Sequence, residues 1–130
     1  MGMVNIDDPI RRQAQRGAQH LMDSVNGVSA VVVATVDGFD VVSCINGSDD
    51  AARIAAMASS ISAIGEVISQ EAGLGRYTSV TVNTESGFVV VCAVPRRGVS
   101  LVVNVVGRGE ALLGQVAYYA ANLARELAQH

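Results

Sequence analysis

The sequence predicts an α/β fold of the α+β type: one antiparallel five-stranded sheet of order 2-1-5-4-3, with helices on both faces. Three observations carry that reading. Apolar periodicity switches between helical and strand-like along the chain in the order α-β-β-α-β-β-β-α. The links within each run of strands are hairpin-length, so strands 1 and 2, 3 and 4, and 4 and 5 pair antiparallel. Strands 1, 4 and 5 are nearly continuous in Val and Ala, as strands covered on both faces are. Strand 2 carries Asp40 and Ser43, and strand 3 alternates polar with apolar, which marks both as edges. The order 2-1-5-4-3 meets all of these constraints. At 130 residues the chain reads as a single domain, 1–130, with its core over about 10–128.

Each element has a local cause. Asp8-Pro9 opens the first helix, because Asp accepts from free backbone amides and Pro has no N–H to leave unpaired there. Ile10, Ala14, Ala18, Leu21 and Val25 then recur at steps of four, four, three and four, one apolar stripe that ends at Asn26-Gly27. Val28 to Val36 is a β-rich run, Asp37-Gly38 a turn, and Phe39 to Ile45 the returning strand. Ser48 is the expected cap of a long helix from about Asp49 to Ala72, with Asp49 and Asp50 in a first turn that favours negative charge. Gly73-Leu74-Gly75 closes it. Strands follow at about Tyr77 to Thr84, Phe88 to Val94 and Val99 to Val106. A last helix after Gly107-Arg108-Gly109 presents Leu112, Val116, Tyr119, Leu123 and Leu127 on one side.

The long helix is smoother than one cover for a sheet requires. At about 100° per residue, Ile54, Met57, Ala58, Ile61, Ile64, Gly65 and Ile68 fall within an arc of ~120° and are expected to face the sheet. Ala52, Ala56, Ala63 and Val67 form a narrow strip opposite, flanked by Ser59 and Ser60. Small residues there would let another helix approach closely, most simply the same helix of a second copy across a two-fold axis. Tyr77 to Thr84 has no Lys, Pro or inward charge to blunt its edge. That edge, with Tyr77, Ser79, Thr81 and Asn83, is expected to pair with its own copy.

Composition excludes several functions. Half of the residues are hydrophobic and 16% are charged, which excludes a disordered chain. Twelve acidic residues against nine basic ones give a net charge of -3, which argues against nucleic acid as a partner. Every basic residue is Arg, so Schiff-base and P-loop lysine chemistry are absent. Cys44 and Cys92, with the scattered His20 and His130, lack the spacing of a metal site, and read as buried thiols in a reducing compartment. No metal or cofactor is expected. Met1 to Asp8 has no basic or apolar targeting pattern, and Ile6 stands where myristoylation wants Ser or Thr. The longest apolar run, around Val31 to Val33, is far short of the ~20 residues that span a membrane. Membrane insertion is therefore not expected, and the cytoplasm is.

The search for chemistry finds no catalytic residue. Asp37 and Asp40 flank a turn, and Asp49 and Asp50 have a capping role. Neither His is placed to activate a serine. Gly107-Arg108-Gly109 fails the dinucleotide spacing, since position 112 is Leu. Arg53, Arg76, Arg96, Arg97 and Arg108 remain as loop or helix cations that could reach a partner's phosphates. Arg96 and Arg97, read as the most exposed pair, are the candidate docking charges.

The whole pattern resembles a known family. The element order, Asn26-Gly27-Val28 opening strand 1, the Val36-Asp37-Gly38-Phe39 turn and Ser48-Asp49-Asp50 before an Ala/Ile-rich helix are similar to the roadblock family of dynein light chains and bacterial small-GTPase regulators. The resemblance covers about residues 10 to 128. It implies a homo- or heterodimer formed through the long helix and third strand. It also implies a Ras-like small GTPase, or other signalling or motor-complex subunits, as partner, and no active site of its own. The all-Arg, Ala-rich composition looks bacterial, which favours a GTPase regulator over a dynein subunit. A different class, a small-molecule sensor of profilin-like or PAS-like architecture, is the alternative. Five aromatics and few converging polar groups argue against it. A purely structural dimer within a larger complex is the third reading.

Overall fold

The computed structural model describes residues 6–129; the sequence readings of Met1 to Asn5 and of His130 lie outside them. The elements are α1 (Asp8–Ser24), β1 (Val28–Thr35), β2 (Asp40–Ile45), α2 (Ala51–Glu71), β3 (Ser79–Thr84), β4 (Gly87–Val94), β5 (Leu101–Arg108) and α3 (Leu113–Ala128). The sheet has the order β2-β1-β5-β4-β3, and every described pairing is antiparallel. The predicted class and strand order are those observed.

Two cores sandwich the sheet. On one face α1 and α3 bury Ile10, Ala14, Leu21, Val116, Leu123 and Leu127 against Val31, Val33, Val90, Val103 and Val105. On the other, Ile54, Ala55 and Ala58 of α2 cover Ala30, Val32, Val91, Val102 and Val106. All eight residues of β1 are buried, because both of its faces are roofed. Gly17 lets α3 dock on α1, since a Cβ there would overlap the Leu123 side chain.

Several boundaries differ from the sequence reading. The α1 stripe is buried as predicted. In α3, Leu112 is 66% exposed, and the buried side consists of Val116, Ala120, Leu123, Ala124 and Leu127. Phe39 precedes β2 and is 49% exposed rather than in the strand. The α2 cap is Asp50, not Ser48: its carboxylate accepts from the amides of Ala52 at 3.0 Å and Arg53 at 3.3 Å. Asp49 lies before the helix and pairs with Arg108 at 3.1 Å, while Arg108 Nε donates to Ser29 Oγ at 3.2 Å. One arginine thus ties the end of β5 to β1 and to the entry of α2.

The two sheet edges are treated differently. In β2 the register shifts beside β1 after Val33, so Val41 has no counterpart; its carbonyl instead accepts from Arg11 Nη1 at 2.8 Å. This bulge, together with Asp40, blunts the β2 edge. β3 pairs with β4 from Ser79↔Cys92 to Thr84↔Gly87 with no such interruption, and its outer side carries neither charge nor Pro.

By length and composition α2 is the one helix among the described residues apolar enough to cross a membrane. Arg53 and Glu66 interrupt its apolar residues, and it lies across β1, β5 and their neighbours as the roof of the second core.

Candidate functional site

The long helix meets the sheet through small residues. Its buried positions are Ile54, Ala55, Ala58, Ser62, Gly65 and Ser69. Ala55 apart, they recur from Ile54 at steps of four, four, three and four, the same template as the α1 stripe. Small side chains are required because the valines of β1, β4 and β5 already fill the space beneath. At Gly65 a Cβ would stand 2.9 Å from Tyr77 Cδ2 and 3.0 Å from Val80 Cγ2. The Tyr77 ring lies in that gap, with its hydroxyl hydrogen-bonded to Ser62 Oγ. Burial raises the Tyr77 pKa; the Ser62 bond opposes the rise and the nearby Glu66 carboxylate adds to it.

This geometry corrects the predicted sheet-facing arc. Met57, Ile64 and Ile68 do not reach the sheet: they are 47%, 55% and 58% exposed. They occupy one flank of α2, about 80–120° round from the centre of the buried stripe. Val67, also exposed, extends that flank. Val80 reaches Gly65 on the α2 side of the sheet, and by the two-residue period of a strand Val82 faces the same way. Val82 and Leu74 are exposed too. A row of large apolar side chains on α2 therefore stands on the same side of the sheet as the exposed apolar side chain of its open edge strand. A folded monomer has no internal use for such a surface.

The predicted interface residues divide. Ala52, Ala56 and Ala63 are exposed on the upper and far side of α2, and the exposed Val67 and Ser60 lie between them and the isoleucine flank. Ser59 is used within the chain, donating to the Val36 carbonyl at 2.8 Å. Tyr77 precedes β3 and is half-buried against α2. Ser79, Thr81 and Asn83 are exposed in β3, in register with Cys92, Val90 and Phe88, on the face away from α2. Arg97 is exposed, but Arg96 is half-buried and donates through Nη1 to the Val99 carbonyl at 2.9 Å. The reading of an equally exposed arginine pair is thereby corrected. Folding brings Ser59, Ala63, Tyr77, Arg96 and Arg97 together around a cleft of about 850 Å³ that also takes in Glu66 and Arg76.

The thiols are not poised for chemistry. Burial pushes the Cys92 thiol up to about 11. Burial also raises Cys44, against a bond from Gln15. A neutral thiol is a poor nucleophile. Among the described residues there is no cluster of three or more His, Cys, Asp or Glu that could hold a metal.

Comparison with known proteins follows the same lines. A family model described as Roadblock/LC7 domain matches residues 18–104, more than half of the chain. The chain belongs to the Roadblock/LC7 family. Three solved structures share the fold. A Roadblock/LC7 domain from Streptomyces avermitilis has 22% identity and a TM-score of 0.77, over 88% of this chain and 94% of that one. Myxococcus xanthus MglB has 12% identity and a TM-score of 0.81, over 98% and 92%. The gliding protein mglB from Thermus thermophilus has 15% identity and a TM-score of 0.79, over 98% and 94%. At such identities the likeness is one of fold. No match is found among curated proteins. Seen as a Roadblock/LC7 fold, the chain places five exposed large apolar residues, Met57, Ile64, Val67, Ile68 and Val82, on α2 and β3, the two elements through which the family resemblance implies dimerisation; others, among them Phe39, Leu112 and Tyr118, lie elsewhere.

Proposed function

We propose that this chain is a non-enzymatic homodimeric platform that binds a Ras-like small GTPase and modulates its nucleotide cycle, in the cytoplasm. Membership of the Roadblock/LC7 family and MglB-like neighbours support a regulatory role of this kind. The observation that carries it is the exposed flank Met57, Ile64, Val67 and Ile68 of α2 beside an unblunted edge strand. Two copies related by a two-fold axis would bury both features at once and present paired α2 helices as a continuous surface. Arg97, exposed at the β4–β5 connection, is a candidate docking charge.

The mechanism is differential binding. A platform that binds the GTP-like switch conformation more tightly than the GDP-like one shifts the GTPase toward it, by no more than the ratio of the two affinities. It needs no catalytic side chain of its own. The test is to mix the purified chain with a small GTPase encoded beside it, loaded with GDP or with a non-hydrolysable GTP analogue. Binding and the rates of nucleotide release and hydrolysis are then measured. Tighter binding to one state and a changed rate are expected. Equal binding to both states, or none, removes the regulatory reading.

A further inference from the structure

The cleft beside α2 is drawn on by the platform reading only through Arg97. It lies between the flank of α2 bearing Ser59, Ser62, Ala63 and Glu66, the Arg76-Tyr77 segment and the β4–β5 connection. Its volume of about 850 Å³ is within the range of small-molecule sites, roughly 300–1,000 Å³. Its charge runs against that of the whole chain. The protein has twelve acidic and nine basic residues, yet among the described residues that line this cleft Arg76, Arg96 and Arg97 stand with one carboxylate, that of Glu66. The guanidiniums come from two separate segments, so they can hold two anionic groups of one ligand. Arg76 and Arg97 are exposed, and no carboxylate among the described residues pairs with either. Arg96 is oriented by its bond to the Val99 carbonyl. Between the cations the wall is apolar, from Val36, Val94, Pro95 and Leu101, with hydroxyls from Ser59 and Ser100.

We propose that this cleft binds a small organic polyphosphate of nucleotide size, its phosphates on the arginines and its uncharged body on the apolar wall. Guanidinium forks suit phosphate because they donate two parallel hydrogen bonds. The cleft is on the opposite flank of α2 from Met57, Ile64 and Ile68. A dimer formed through the isoleucine flank therefore leaves it open, and a ligand there would stiffen the helix that the partner contacts.

The test uses the full chain alone, with ATP, GTP and inorganic pyrophosphate as probes, and sulfate at matched ionic strength as control. Amide shifts and calorimetry are the readouts. A nucleotide is expected to give saturable shifts over residues 76–78 and 97–100 and to bind more tightly than pyrophosphate. The double variant R76A/R97A should weaken it at least tenfold. The single variant Arg97→Gln, at an exposed position, should weaken it in the same direction should the double variant fold poorly. Several results would overturn the proposal: no saturable shift at millimolar nucleotide, equal shifts with sulfate, or unchanged affinity in both variants. Binding only to an acidic peptide would overturn it as well. Because no GTPase is present, failure here leaves the platform reading standing, and that reading's failure leaves this one.

Discussion

Replacing Ile64 and Ile68 together by arginine should convert a dimer into a monomer without unfolding it. Full burial of an isoleucine is worth about 1.5–3 kcal/mol. With 55% and 58% of these residues still exposed in the single chain, about half of that, ~1 kcal/mol each, is available to a contact. A two-fold interface counts each position twice, so four such contributions amount to ~4 kcal/mol. That is close to a thousandfold in Kd, before the cost of burying a guanidinium. A micromolar dimer would become millimolar. Because both positions are exposed in the monomer, its own unfolding free energy should move by no more than about 0.5 kcal/mol each. Light scattering across a dilution series reads the mass, and urea unfolding of the monomeric variant checks the fold. The comparison protein carries Ala52→Arg, Ala56→Arg and Ala63→Arg, on the upper and far side of the helix, and should remain dimeric. A wild-type mass near 13.5 kDa at every concentration would refute the reasoning. So would a dimer that survives I64R/I68R and is lost in the alanine variant, which would place the contact elsewhere on the helix.

Other expectations follow from single contacts. Asp50→Ala should cost ~1 kcal/mol by removing the acceptor for the Ala52 and Arg53 amides, whereas Ser48→Ala should cost almost nothing; urea midpoints separate the two. Gly65→Val should cost about 1–3 kcal/mol by driving methyl groups into the Tyr77 ring and Val80, seen as a lowered Tm; a stabilised variant would mean that α2 can lift off the sheet freely. For Cys92, burial favours the neutral thiol in the fold, with a pKa of about 11 against an ordinary 9.0. Below pH 9 both folded and unfolded chains keep that proton, so its contribution is constant. Between pH 9 and about 11 the unfolded chain releases it first, so stability should fall by roughly 2–3 kcal/mol and then level off. Unfolding curves from pH 8 to 11 should show this slope in the wild type, and Cys92→Ala should lose it.

The helices of the first face and the strand order were legible because each rests on a periodicity or a chain-length constraint that local residues express. The α1 stripe Ile10, Ala14, Ala18, Leu21 and Val25 is unambiguous, since nothing else on that helix is apolar at the right spacing. α2 was ambiguous for the opposite reason. It carries two overlapping stripes, one of small residues from Ile54 to Ser69 and one of large apolar residues from Met57 to Ile68. A scale that rewards size selects the wrong one for the sheet. The step pattern of the small stripe was present as a signal, but Ser62, Gly65 and Ser69 do not look like a core until the valines beneath them are placed. The cleft was harder still: Arg76 and Arg96 are twenty positions apart, and no local pattern of residues links the two segments.

From its own residues the chain dictates which segments are helix or strand, which strands lie inside the sheet, and, having no lysine, that lysine chemistry is closed to it. These follow from side-chain size, branching and charge acting over a few neighbours. Tertiary structure decided which side of α2 meets the sheet, that Asp49 serves Arg108 while Asp50 caps the helix, and that distant arginines share one hollow. Those outcomes depend on the volume left between layers and on distances across the sheet, quantities that exist only after the layers have closed.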